Sequence, residues 1–139
     1  MKPANPINIT HIDHVVIRVN NLDKMIEFYR DVLGCKLERG PGEGRLAQLR
    51  AGLSLVDLVD SSGPIGRQGG TMADHTAPNM DHVCFQVDPW NTAAVQEQLR
   101  WHEVEFGDVG DRYGASGVGP SIYLKDPEGN TVELKGITR

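Results

Sequence analysis

Two histidines and two carboxylates stand at matched places in this chain. His14 opens the run HVVIRV and His82 opens HVCFQV, 68 residues later. Asp57 lies in LVDL and Glu133 in TVEL, 76 residues later. Imidazole and carboxylate together suit Zn, Ni, Mn, Co or Fe, and a set of two histidines and one carboxylate leaves coordination positions open for a substrate. Metal-assisted chemistry is therefore the first expectation, with His14, His82, Glu133 and Asp57 as candidate ligands. Taken singly, a histidine in a strand is usually packed or solvated. The matched spacing of both pairs weighs against that ordinary reading.

The spacing comes from an internal duplication. IDHVVIRVNNL, from Ile12, lies over MDHVCFQVDPW, from Met80. Asp13 matches Asp81, Val15 matches Val83 and Val19 matches Val87. The larger offset at the far end means about eight extra residues in the second half, at the Gly-rich stretch from Gly107 to Gly119. A repeated supersecondary unit leaves an apolar face that its copy must cover.

Each half reads as strand, helix, three strands. The run 12–19 alternates with period two, and Leu22, Met25, Ile26, Tyr29 and Leu33 then recur at helical spacing, with Gly34 as a stop. Strands follow over 36–39, 45–49 and 53–59. In the second half a strand covers 81–87, and a helix spans 89–101 with Asp88 as its cap. Two closing strands over 121–125 and 130–135 flank an Asp126-Pro-Glu-Gly129 turn. Module 1 spans 10–60, a Gly-rich linker 61–79 and module 2 80–137, in one domain over 8–139. Alternation puts His14, Val16 and Arg18 on one face of the first strand, and His82, Cys84 and Gln86 on the matching face of its twin. Each helix must cover the apolar side, so the polar side faces the site.

Composition excludes other classes. The chain has 139 residues, 39% hydrophobic and 24% charged, with a net charge of -5. An acidic chain without a basic stripe is a poor partner for nucleic acid. No apolar run approaches the roughly 20 residues of a membrane span. The opening residues lack a signal-like apolar stretch, and Cys35 and Cys84 read as free thiols, so a cytoplasmic location is expected.

The motifs IDHVVIRV, FYRDVLG, MDHVCFQV and LKDPEGNTVEL resemble those of the vicinal oxygen chelate superfamily, which includes glyoxalase I, methylmalonyl-CoA epimerase, extradiol dioxygenases, fosfomycin-modifying enzymes and bleomycin-binding proteins. The resemblance implies an α+β fold of two βαβββ modules forming a U-shaped mixed-sheet cup with helices outside. It implies His14, His82 and Glu133 as ligands of one divalent metal, with Asp57 at a fourth ligand position. Asp57 is one methylene shorter than the usual Glu, which leaves direct and water-mediated ligation both open. Glu133, or Asp57 if free of the metal, is the implied proton carrier. Arg18 resembles an arginine that anchors an anionic substrate, Tyr123 resembles a substrate-contacting tyrosine, and Gln86 lines the cup.

The implied function is a glyoxalase-like isomerase or lyase acting on vicinal oxygens. An Fe(II) extradiol-type dioxygenase, with His75 as its acid–base residue, is an alternative. An antibiotic-binding or thiol-transferase resistance protein is another. The Gly-rich stretch 107–119 is expected to form a flap. Relatives of this size pair module 1 of one subunit with module 2 of another, so a homodimer with a shared site and a closed monomer are both open.

Overall fold

The structure, a computed structural model, describes residues 1–138. Two mixed four-stranded sheets carry the fold. The first contains β1 (His14–Val19), β2 (Lys36–Arg39), β3 (Leu46–Ala51) and β4 (Ser54–Asp60), in the order β1-β4-β3-β2. The second contains β5 (Val83–Val87), β6 (Gly110–Gly114), β7 (Gly117–Lys125) and β8 (Thr131–Gly136), in the order β5-β8-β7-β6. In both sheets the first strand runs parallel to the last, and the other neighbours are antiparallel. The duplication read from the sequence is thus a duplication of topology, and the α+β class of two βαβββ modules holds.

Helix α1 (Leu22–Glu27) continues directly into a π-helical segment, Phe28–Val32. Asn21 caps its start by accepting from the Lys24 N–H at 3.1 Å. Gly34 ends the turn with φ +77°, a conformation that costs a residue without Cβ little. Leu22, Met25, Ile26, Phe28 and Tyr29 are buried, as their helical spacing requires.

Helix α2 (Thr92–Trp101) starts later than the sequence suggests. Asn91, not Asp88, is the cap: its side chain accepts from the Ala94 N–H at 3.0 Å. Trp90 donates to Thr92 Oγ1 at 2.8 Å, which ties the indole to the helix start. The Gly-rich stretch expected as a flap is instead the regular hairpin of β6 and β7. Arg112 pins it by donating to Ser121 O and Oγ at 2.9 and 2.7 Å.

The modules pack through their apolar sides. One core runs across both, from Ile17, Val19 and Tyr29 to Leu99, Ile122, Leu134 and Val132. Its polar fastening is the Asp126 turn. Tyr29 Oη donates to Asp126 Oδ2 at 2.9 Å, and Asn130 Nδ2 donates to the same oxygen at 2.8 Å. Burial first, and the Asp126 carboxylate next, push the Tyr29 hydroxyl pKa far above its usual value. Glu128 accepts from the Asn20 and Asn21 backbone N–H groups, and Gln98 donates to the carbonyls of Asp31 and Val32. Because the apolar faces are spent on this packing, the polar faces of both sheets turn outward: Val16, Cys84 and Gln86 are exposed.

Candidate metal centre in two half-sites

His14 is the first residue of β1. Its Nδ1 donates to Asp13 Oδ1 at 2.7 Å. That bond first, and the charges of Asp57 and Asp13, raise the His14 pKa. Across the parallel pairing Val16 sits opposite Asp57, so the imidazole and the carboxylate belong to adjacent strands of one face. Asp57 is 2% exposed. One oxygen accepts from Gln48 Nε2 at 3.2 Å; the other, Oδ1, is buried without a partner. A buried carboxylate oxygen left unpaired costs free energy that a nearby cation would recover.

The second half-site has the same plan with tighter geometry. His82 lies one residue before β5, and its Nδ1 donates to Asp81 Oδ1 at 2.6 Å. Its Nε2 faces Glu133 Oε1 at 3.3 Å. With Nδ1 directed at Asp81, Nε2 stands against a carboxylate oxygen, a pair that either a proton or a metal cation can join. A carboxylate holding the far nitrogen of a histidine is also the usual support for a metal ligand, since it fixes the ring and its tautomer. Both half-sites therefore fit a divalent cation.

Asp13 and Asp81 were legible in the repeat as a matched pair of DH dipeptides. Sequence reasoning gave them no role, although an acid adjacent to a candidate ligand histidine was the available signal.

The structure does not bring the candidate ligands together within one chain. Among the described residues no group of three or more His, Cys, Asp or Glu side chains converges closely enough to hold a metal. The expected set of His14, His82 and Glu133 is split into His14 with Asp57 and His82 with Glu133. Packing is the cause, because the modules meet through the faces opposite to those that carry the ligands.

The remaining candidates divide. Tyr123 stands opposite Glu133 in the β7–β8 register and meets the His82 ring edge-on, centroids 5.4 Å apart. Arg112 stacks on its other side at 4.5 Å. Desolvation and then the Glu133 charge raise the Tyr123 pKa. Cys84 stands opposite Glu133 on β5. Burial and then Glu133 push its thiol up to about 11, so it is a thiol and not a thiolate at neutral pH.

Gln86 is exposed on the same face. Arg18, expected as a substrate anchor, is engaged with the linker. Its guanidinium donates to the carbonyls of Gly66, Gly69, Thr71 and Gly70 at 3.1, 3.1, 3.1 and 2.6 Å. Four of its five N–H donors thus hold the linker in place. His75, in that linker, is exposed.

Paired βαβββ modules with an imidazole and a carboxylate at the same point of each define a duplicated two-module fold. Residues 11–134 match the family model described as Glyoxalase/Bleomycin resistance protein/Dioxygenase superfamily, and the chain belongs to that superfamily. A glyoxalase domain-containing protein of Mycosarcoma maydis is 32% identical over 130 residues, covering 92% of this chain and 69% of its own. The mitochondrial methylmalonyl-CoA epimerase of Mus musculus is 31% identical over 139 residues, covering 95% and 76%. Among solved structures, an integron cassette protein from the mobile metagenome of V. cholerae superposes with a TM-score of 0.77 at 25% identity, over 95% of this chain and 98% of that one. No helix among the described residues is long and apolar enough to cross a membrane.

Proposed function

We propose that the protein is a metal-dependent isomerase or lyase of the glyoxalase type, acting on a small substrate that offers two neighbouring oxygens. One observation carries the reading. Each module holds a carboxylate-supported histidine beside a buried carboxylate, and each such pair has an acceptor atom in want of a cation: Nε2 of His82 against Glu133, and Oδ1 of Asp57. The similarity to an epimerase over nearly the whole chain supports proton transfer at carbon rather than oxygen insertion.

His14, His82 and Glu133 would hold the metal, with Asp57 as a fourth donor; Zn, Ni, Mn, Co and Fe all suit this set. The cation supplies Lewis acidity, which stabilises negative charge developing on the substrate oxygens. The chain's own residues do the rest. Asp13 and Asp81 fix the imidazole rings. Glu133, 5% exposed and flanked by Cys84 and Tyr123, is the carboxylate that would take a proton from a substrate carbon adjoining those oxygens and return it. Tyr123 walls the site on one side and limits water there.

Because one chain presents two separated half-sites, the working unit is a homodimer. Module 1 of one copy closes over module 2 of the other, and each of its two sites takes His14 and Asp57 from one copy and His82 and Glu133 from its partner. Metal analysis of protein purified without chelator, with sedimentation of the same sample, tests the reading. A dimer with about one divalent ion per chain supports it. A metal-free monomer that binds no added Zn, Ni or Mn contradicts it.

A further inference from the structure

Lys135 is a lysine inside the sheet, 3% exposed. It lies on β8 two residues beyond Glu133, so both side chains leave the same face of the strand. Among the described residues its Nζ has a single hydrogen bond, to the carbonyl of Gly136 at 3.3 Å. Among the described residues no carboxylate oxygen pairs with it. The stem runs over the β6–β7 hairpin through a trough that glycine leaves open. A Cβ on Gly114 would stand 3.1 Å from Lys135 Cδ and 3.2 Å from Cε. One on Gly119 would stand 3.3 Å from Nζ and would collide with the Gly136 carbonyl. The glycines of the hairpin thus make room for this lysine. A buried ammonium with one long bond to a neutral carbonyl is a costly arrangement in want of an anion.

The register shows where that anion would come from. Cys84, Glu133 and Tyr123 form one row across β5, β8 and β7. Gln86, Lys135 and Ser121 form the next row, and Arg112 reaches into it through its bonds to Ser121. The first row holds the candidate ligand and proton carrier; the second holds an amide, an ammonium and a guanidinium. Two residues of strand separate the rows, roughly 6–7 Å. The Cys84 thiol feels the charges of both Glu133 and Lys135, so the two sit around one stretch of surface.

We propose that Lys135 is a specificity-determining residue that receives a carboxylate of the substrate, carried three to four bonds from the chelated pair of oxygens. The proposal rests on the metal-dependent reading above. It assigns the substrate class as an oxygen chelator with a carboxylate tail, and it explains why an acidic chain buries a cation beside its site.

Two hydroxamates of equal length separate the tail from the chelator. Succinohydroxamate and butyrohydroxamate share the chelating group and differ in a carboxylate against a methyl. Titrated calorimetrically into the Zn-loaded protein, succinohydroxamate is expected to bind roughly tenfold or more tightly, the scale of one charge-assisted hydrogen bond. In Lys135→Met that preference falls to about unity, while butyrohydroxamate binds as before. Lys135→Gln, which keeps an N–H donor and loses the charge, gives the same result should the methionine variant not fold.

Equal affinities in the unaltered protein overturn the proposal, as does a preference that survives both variants. If neither hydroxamate binds because no metal is held, the metal reading has failed, and the lysine is judged on metal-free protein with malonate. A malonate-dependent rise in melting temperature that both Lys135 variants lose sustains the carboxylate site. An equal rise in all three proteins rejects it.

Discussion

The two modules share a plan and differ in what they do with it. Each has the DH dipeptide at its first strand and a buried carboxylate in its last. Around those fixed points module 1 sets Val16, Leu55 and Val59 beside Asp57, with Gln48 bonded to it from β3; of the cations on that face, Arg18 is tied to the linker and Arg50 to Glu38. Module 2 puts Cys84, Gln86, Tyr123 and Lys135 at the corresponding places, with Lys135 standing where the repeat has Val59. The imidazole and the buried carboxylate are what the two copies share on this face. Other positions of the same face differ: module 2 carries Tyr123 and a buried Lys135 where module 1 has Gln48 and Val59. On the proposed reading, module 1 would supply half of a metal cradle, and module 2 the other half plus the surface that reads the substrate.

Substitutions at equivalent positions break or sharpen that contrast. The largest effect falls on Glu133. Glu133→Gln is expected to lower turnover by about a thousandfold with far-UV circular dichroism unchanged, in line with loss of a positioned acid–base group. Retained activity would take Glu133 out of the mechanism. Asp126→Ala comes next. It removes the acceptor that fastens Tyr29 to module 2, together with the bonds from Asn130 and from the Glu128 N–H. A loss of about 3 kcal/mol in urea unfolding is expected, as for breaking a buried charged network.

Asp57→Asn tests module 1 alone. Replacing a buried carboxylate whose Oδ1 has no partner should raise the stability of metal-free protein by about 1 kcal/mol. The same change should weaken metal binding by roughly ten- to a hundredfold. Opposite signs in melting and in metal titration are the signature; a change that destabilises both states would mean that Asp57 is structural.

The smallest effect is a pH dependence at Asp60. The Ser62 hydroxyl and N–H, at 2.7 and 2.9 Å, hold its carboxyl below the ordinary value, and Arg45 adds to this. A lowered folded pKa stabilises the protein above 3.8 and is lost as the pH falls through the folded value. Asp60→Asn should therefore shallow the acid side of the melting curve by less than about 1 kcal/mol, read as melting temperature from pH 5 downward.

Much of this was legible in the sequence because strand alternation and helical spacing act over a few residues. The runs around His14, His82, Asp57 and Glu133, the Gly34 stop and the Asp126 turn all follow from local rules. The helix start at Thr92 did not, because Asn91 and Asp88 are equally good caps on paper, and only the Trp90–Thr92 contact and the Ala94 bond decide between them. The hairpin at 110–114 and 117–125 was hidden by its glycines, whose purpose, room for Lys135, depends on a residue in a different strand. The partners of Arg18 were not legible for the same reason: they are backbone carbonyls of the linker, which carry no side-chain signature. How the two modules face one another was not legible either, since apolar faces specify burial but not the partner that provides it.

The central claim, that a complete site needs module 1 of one copy and module 2 of another, is open to a mixing experiment. His14→Ala and Glu133→Gln proteins are purified separately, partly unfolded, mixed and refolded together, and assayed for high-affinity metal binding. In a heterodimer of the two, one site combines both lesions and the other combines the intact module 1 of the Glu133→Gln chain with the intact module 2 of the His14→Ala chain. Full ligation should return in the mixture and be absent from either variant refolded alone. If the mixture binds metal no better than the average of its components, each chain closes its own site and the shared centre is wrong.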